Sequence, residues 1–71
     1  MIRIKILNIL ENKNKSLNWL SMEAKIPYNT IWKLANNKTE GVKFEIINKI
    51  CSVLDCRVGD IIEYIPDTDK N

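Results

Sequence analysis

The sequence predicts an all-α fold, a compact bundle of about five short helices, with a short strand pair between the two termini left open as an addition. Three observations predict it. Apolar residues recur at three- and four-residue spacing through residues 16–34 and again through 43–54. Only two Gly and two Pro occur in 71 residues, fewer turn formers than a sandwich of short strands requires. Polar stops, NKNK at 12–15 and NNKTEG at 36–41, separate the periodic stretches.

The elements follow in order. Ile2 and Ile4 alternate with Arg3 and Lys5, the pattern of a short strand or extended arm. Ile6, Leu7, Ile9 and Leu10 then form a helical stripe that runs to about Asn14. Ser16 is a good N-cap, and helix two extends from Leu17 to Lys25. Pro27 suits the first turn of a helix and pushes Ile26 toward an extended conformation. The turn therefore falls at Lys25 and Ile26, and helix three runs from about Pro27 to Asn36. Helix four spans Lys43 to about Leu54, with Phe44, Ile47, Ile50, Cys51 and Leu54 on one face. Val58 to about Glu63 forms a short fifth helix whose Ile61 and Ile62 close the bottom of the core, and EYIP at 63–66 is extended. One domain covers residues 1–66, and 67–71 is a polar tail. A chain of this length buries only about 60% of its unfolded surface, so each core position counts.

Residues 16–34, SLNWLSMEAKIPYNTIWKL, carry the most information. They are two amphipathic segments about a tight turn, a central helix–turn–helix. Leu20 and Ala24 share a face by i, i+4 spacing, Ser21 is small where helices cross, and Ile26 plugs the turn. Ile31 and Leu34 turn helix three toward the core. Its other positions, Tyr28, Asn29, Thr30, Trp32 and Lys33, are mostly hydrogen-bonding side chains on the opposite side. A braced helix with such a face suits the major groove of DNA.

Charge is unevenly placed. Residues 1–49 hold nine Lys/Arg against four Asp/Glu, whereas 50–71 hold two against five, so a +5 body precedes a −3 end. A basic body suits a polyanion, although a solvated mixed-charge surface explains +5 equally well. Two Cys, no His and no second Cys pair leave too few ligands for a tetrahedral zinc site. Cys51 and Cys56 are expected to be reduced, largely buried thiols acting as small hydrophobes. No apolar run reaches the ~18 residues of a membrane span, and MIRIKILNIL lacks a signal-peptide cleavage site, so a cytoplasmic location is expected. Catalysis lacks a nucleophile–base pair or a Gly-rich phosphate loop, so no enzyme and no cofactor are expected.

The order and spacing of helix one, the SLNWLSMEAKIPYNTIWKL motif, the NNKT loop and FEIINKICSVLDC resemble the lambda-repressor-like, or Cro/XRE, helix–turn–helix family. The ending CRVGDIIEYIPD is similar to that of a subgroup of very small regulators. The resemblance implies a five-helix bundle that binds duplex DNA and regulates transcription. Carried over by position, it implies that Tyr28, Asn29, Thr30 and Lys33 occupy the exposed recognition-helix positions. Asn36 and Lys38 lie in the loop that touches phosphate, Lys43 at a basic position after it, and Asn18 near the helix-two terminus that packs on phosphate. Four departures stand out. Leu17 replaces a Gln that braces the backbone, and Ser21 replaces a small Ala. Lys25 replaces the turn Gly, at roughly 1–2 kcal/mol if it is left-handed. Pro27, within the DNA-facing set, replaces a capping Ser or Thr and loses its side-chain donor.

Each candidate has a blander counterpart. Lys33 reaches a phosphate or the O6/N7 edge of guanine, or is a solvated surface lysine. Asn29 pairs with the N6/N7 edge of adenine, or is an ordinary helix-surface amide. Tyr28 stacks on sugar or meets a thymine methyl, or packs on the next turn. Trp32 is expected half-buried against helix four or the loop. Trp19 is either an exposed partner contact or partly buried on helix one. Ile2, Ile4, Tyr64 and Ile65 either pair locally to finish the core or make a contact that fixes a dimer. The expected function is a sequence-specific DNA-binding transcriptional regulator, a homodimer on double-stranded DNA with no small-molecule ligand. The alternative is a protein-interaction module of antitoxin or antirepressor type, which Leu17, Lys25, Pro27 and an exposed Trp19 would favour.

Overall fold

The computed structural model describes residues 1–66; the polar tail expected at 67–71 lies outside them. The chain runs β1 (Ile2–Ile4), α1 (Ile6–Asn12), α2 (Leu17–Ala24), α3 (Tyr28–Ala35), α4 (Phe44–Leu54), α5 (Val58–Ile61) and β2 (Ile62–Tyr64). The five-helix bundle is as the periodicity predicts, and the two terminal strands join into one antiparallel pair. The fifth helix is shorter than expected: Ile62 turns extended and enters β2.

Each of the first four helices closes in the same way. Among the described residues, Asn14, Lys25, Asn37 and Asp55 are the non-glycine residues with positive φ, at 58°, 57°, 58° and 54°. In each case the next amide reaches back five residues: Lys15 to Leu10 at 2.9 Å, Ile26 to Ser21 at 3.1 Å, Lys38 to Lys33 at 2.8 Å and Cys56 to Cys51 at 3.1 Å. This is the Schellman closure, which satisfies the last carbonyls of a helix through one left-handed residue. Asn and Asp enter that conformation with local side-chain help, but Lys does not. At the other end of α2, the Ser16 hydroxyl accepts the Trp19 amide at 3.0 Å, a cap worth about 1 kcal/mol.

The core is wholly apolar. Ile6 and Leu10 of α1, Leu20 and Ala24 of α2, Ile26 in the turn, and Ile31, Leu34 and Ala35 of α3 are buried with Ile47, Ile50, Leu54 and Ile61. Ile4, Leu17, Trp19, Val42, Ile46 and Cys51 pack partly against it. Trp19 therefore takes the partly buried reading, with the Lys15 ammonium 5.0 Å above its ring. That removes exposed Trp19 as support for a partner surface.

Phe44 corrects the sequence reading. It falls in the apolar register of α4 yet is 91% exposed. It is the first residue of α4, and helical side chains lean toward the N-terminus, so Phe44 projects past the end of the core rather than onto it. Val42, ahead of the Lys43 cap, and Ile47 supply the apolar staple spacing instead.

The thiols are also less buried than expected. Cys51 and Cys56 are free, and both are partly exposed. They stand at the two apolar positions that a Schellman closure brings together, joined by the backbone bond from the Cys56 amide to the Cys51 carbonyl. Burial first, and Cys51 second, push the Cys56 thiol up to about 11 from 9.0.

In the sheet, Ile2 pairs with Tyr64, Arg3 with Glu63 and Ile4 with Ile62. Arg3 and Glu63 also meet as an ion pair at 2.6 Å. The termini therefore pair locally within one chain, but of Ile2, Ile4, Tyr64 and Ile65 only Ile4 packs on the core, while Ile2 and Tyr64 stay exposed. Contact between two chains is a separate matter.

Candidate nucleic-acid interface

The surface begins with the turn between α2 and α3. Ser21 organises it. Its carbonyl accepts both the Lys25 and Ile26 amides, and its hydroxyl donates to the Ile26 carbonyl at 2.6 Å. A small residue is required there by packing, but the hydroxyl does more than fit: it fixes the turn that sets the angle between the helices. Sequence reasoning treated Ser21 as a neutral replacement; a hydroxyl one turn before a left-handed residue was the available signal. Pro27 occupies the N-cap position of α3, one residue earlier than expected, and offers no side-chain cap. Its carbonyl takes the Thr30 and Ile31 amides at 3.0 and 3.1 Å.

Helix α3 divides cleanly. Ile31, Leu34 and Ala35 are buried, while Tyr28, Asn29, Thr30, Trp32 and Lys33 are exposed. Tyr28 and Trp32, at 44% and 42% exposure, form one flank one helical turn apart. Asn29 and Lys33 stand one turn apart along the middle of the face, and Thr30 lies on the other flank. There a groove of about 360 Å³ opens between α3 and the start of α4. Leu34, Val42 and Ile46 form its apolar floor, with Thr30, Lys33, Thr39 and Lys43 around it.

The structure thus brings Thr30, Lys33 and Lys43 to one groove, with Asn29 beside it. Lys38 is exposed in the adjoining loop, and its backbone is held by the bond to Lys33. Among the described residues no ion pair engages Lys33, Lys38 or Lys43, whereas Arg3, Lys5 and Lys49 are paired with Glu63, Glu63 and Glu45. Three uncommitted cations around one helix end make a local positive field. Glu40, exposed in the same loop, opposes it.

Other candidates lie apart from this groove. Asn18 is exposed in the first turn of α2 and turns its amide toward the Met22 sulfur at 3.7 Å. Asn36 is partly buried and spends its amide donor on the Trp32 carbonyl at 2.9 Å, so it serves the end of α3. Its neighbour Asn37 went unnoticed in the sequence. Asn37 adopts the left-handed conformation and bonds across to β1, with the Ile4 amide donating to its Oδ1 at 2.8 Å. The Asn-Asn pair after an apolar helical stripe was the signal, since Asn is the side chain other than Gly most at ease there.

A model of the Cro/C1-type HTH DNA-binding domain matches residues 5–67 of this sequence. The chain belongs to that family. The Cro/C1-type assignment agrees with a relative in Bacillus subtilis, an uncharacterized HTH-type transcriptional regulator named YozG. It is 33% identical over 67 residues, spanning 90% of this chain and 80% of the relative. A crystal structure of a protein from Bacteroides fragilis superposes with a TM-score of 0.76 at 22% identity. It covers 89% of this chain and all of that one, and so shares the Cro/C1-type fold. Among the described residues no helix is long and apolar enough to cross a membrane.

Proposed function

We propose that this chain is a sequence-specific transcriptional regulator that reads the DNA major groove with α3. One observation carries the reading: the exposed middle of α3 presents Asn29 and Lys33, flanked by the unpaired Lys38 and Lys43. An amide and an ammonium one turn apart can meet base edges, while the loop cations meet phosphates on either side. Tyr28 and Thr30, at the start of the same helix, adjoin the bases; Asn18 and Pro27, at the starts of α2 and α3, adjoin the backbone.

One recognition helix contacts about 4–5 base pairs, which is little specificity, so two copies act ~34 Å apart on a two-fold site. The exposed side chains of the arm Ile2–Lys5 and of the segment Ile61–Ile65, Ile2 and Tyr64 foremost, are the surfaces that join them, since Ile61 itself is buried. The test is a selection from random duplex DNA followed by a salt titration on the selected site. Affinity should fall steeply with salt. A salt-insensitive protein with no selected site would favour the interaction-module reading, in which Leu17, Lys25 and Pro27 mark a fold kept for a protein partner.

A further inference from the structure

We propose that Asn37 is a positioning residue for DNA binding, a clamp that fixes the α3–α4 loop against the terminal sheet. The proposal rests on the major-groove reading, and its test separates the two.

The sheet leaves one edge of β1 unpaired. The Lys5 amide bonds to the Ile61 carbonyl at 2.8 Å and the Ile65 amide to the Met1 carbonyl at 2.7 Å. Odd-numbered residues of the arm thus face β2, and by strand alternation Ile4 turns its backbone groups outward. Asn37 meets both of them. Its Oδ1 accepts the Ile4 amide at 2.8 Å, and its Nδ2 faces the Ile4 carbonyl at 3.5 Å. A carboxamide has the donor and acceptor of a peptide group, so Asn37 stands in for one residue of a third strand.

The backbone of Asn37 is held from the other side. Its amide bonds to Leu34 at 3.1 Å, and the following Lys38 amide to Lys33 at 2.8 Å. The left-handed conformation that ends α3 is what turns the carboxamide toward β1. Lys38 is therefore the next residue along from one that is fixed both to the end of α3 and to Ile4, 33 positions before it in sequence. An exposed lysine on a tethered backbone meets a phosphate without first having to order its loop.

The test uses the whole chain with two variants. Asn37→Gly keeps the left-handed backbone and deletes the clamp. Asn14→Gly makes the same change at the same φ, at the end of α1, away from the DNA-facing loop. Asn37→Gly should speed hydrogen exchange at the Ile4 amide. It should weaken selected and random duplexes alike, by about five-fold, and lower the salt slope by about one unit. Asn14→Gly should leave all three unchanged. Replacing the Ile4 amide by an ester in a synthetic chain removes the donor from the other partner and should repeat the loss in binding.

Full affinity and salt slope in Asn37→Gly, with Ile4 exchange accelerated, would overturn the clamp. So would a loss of binding that only tracks the loss of folded protein at the assay temperature, which marks a role in stability alone. Lys38→Ala, run alongside, separates the failures. If it weakens binding and Asn37→Gly does not, only the clamp is lost; if neither does, the phosphate-contacting loop is lost with it.

Discussion

The Lys33 carbonyl accepts the Lys38 amide at 2.8 Å, so a lysine on the exposed face of α3 and a lysine in the next loop are joined through one backbone bond. Under the major-groove reading the two have different work. Lys33 lies one turn along the helix from Asn29, on the face proposed to meet base edges. Lys38 lies beyond the helix, where the same docking would leave it only the DNA backbone.

Substitutions should expose that division. Asn29→Ala should flatten the preference among DNA sequences, since a two-point amide contact is worth about 1–3 kcal/mol of discrimination. Lys38→Ala should weaken all sequences about equally and reduce the salt slope by about one unit. Lys33→Ala should do some of both. Binding of a selected site and of random duplex at several salt concentrations measures all three. Unchanged binding in Asn29→Ala and Lys33→Ala would remove α3 as the reading element.

Lys25 carries the helix–turn–helix bend in a conformation that favours glycine. Lys25→Gly should therefore stabilise the chain by roughly 1 kcal/mol, a rise in thermal midpoint of about 4–8 °C for a domain this small. Thermal melts of the two proteins decide it. A lower midpoint in the variant would mean that the lysine side chain supplies more than the backbone costs.

The contrast between Phe44 and Ile50 tests the core boundary. Phe44 is 91% exposed and Ile50 is fully buried. Phe44→Ala should change stability by no more than about 0.5 kcal/mol, whereas Ile50→Ala should cost about 2–5 kcal/mol. Chemical denaturation resolves the difference. A large loss at Phe44 would show that the aromatic ring is covered in the protein in solution.

Most of the fold was legible because the helices are marked where they begin and end. Ser16 caps α2, Pro27 starts the next segment, and polar stops follow the apolar stripes. Periodicity alone could not place Phe44. An apolar residue in register is buried only if the partner helix extends that far, which depends on three-dimensional reach. The candidate interface was legible as a face, Asn29 and Lys33 opposite Ile31 and Leu34. What fixes that face, the Ser21 hydroxyl and the Asn37 carboxamide, was not. Both act through side-chain bonds to the backbone; the sequence shows the residue types that can make such bonds, but not the partners they reach.

The Cys56 thiol gives a pH dependence with a definite sign. Its folded-state value, pushed up to about 11, exceeds the ordinary 9.0, so folding favours the protonated thiol. That contribution is complete below pH 9 and is lost as pH rises through 11. Melts across that window should show a fall that Cys56→Ala reduces. At pH 8 the thiolate fraction is lowered by about 100-fold for two units, so alkylation of Cys56 should be slow until the chain unfolds. Rapid modification of the folded protein would contradict the raised pKa of this thiol.

Sedimentation with and without a selected duplex checks assembly. The expectation is a dimer on DNA whose stability falls with substitutions at Ile2 or Tyr64, both exposed on the sheet. A strict monomer under both conditions would count against a two-fold site.

The β1–β2 pair joins the two extremes of the described chain, with Met1 and Ile65 separated by 64 positions. Each helix closure, by contrast, spans five. Pairing of such distant segments carries the largest loop-closure cost among the described contacts, so the strands should assemble after the helices and be the first to unzip on warming. The loop beside α3 is fastened to that sheet through Ile4. Below the cooperative transition, then, there should be a temperature range in which the helical signal is intact while the arm has begun to fray. With the loop clamped as proposed, DNA affinity in that pre-melting range should soften ahead of any loss of helix, so the upper temperature of binding should follow the three-residue strands rather than the core.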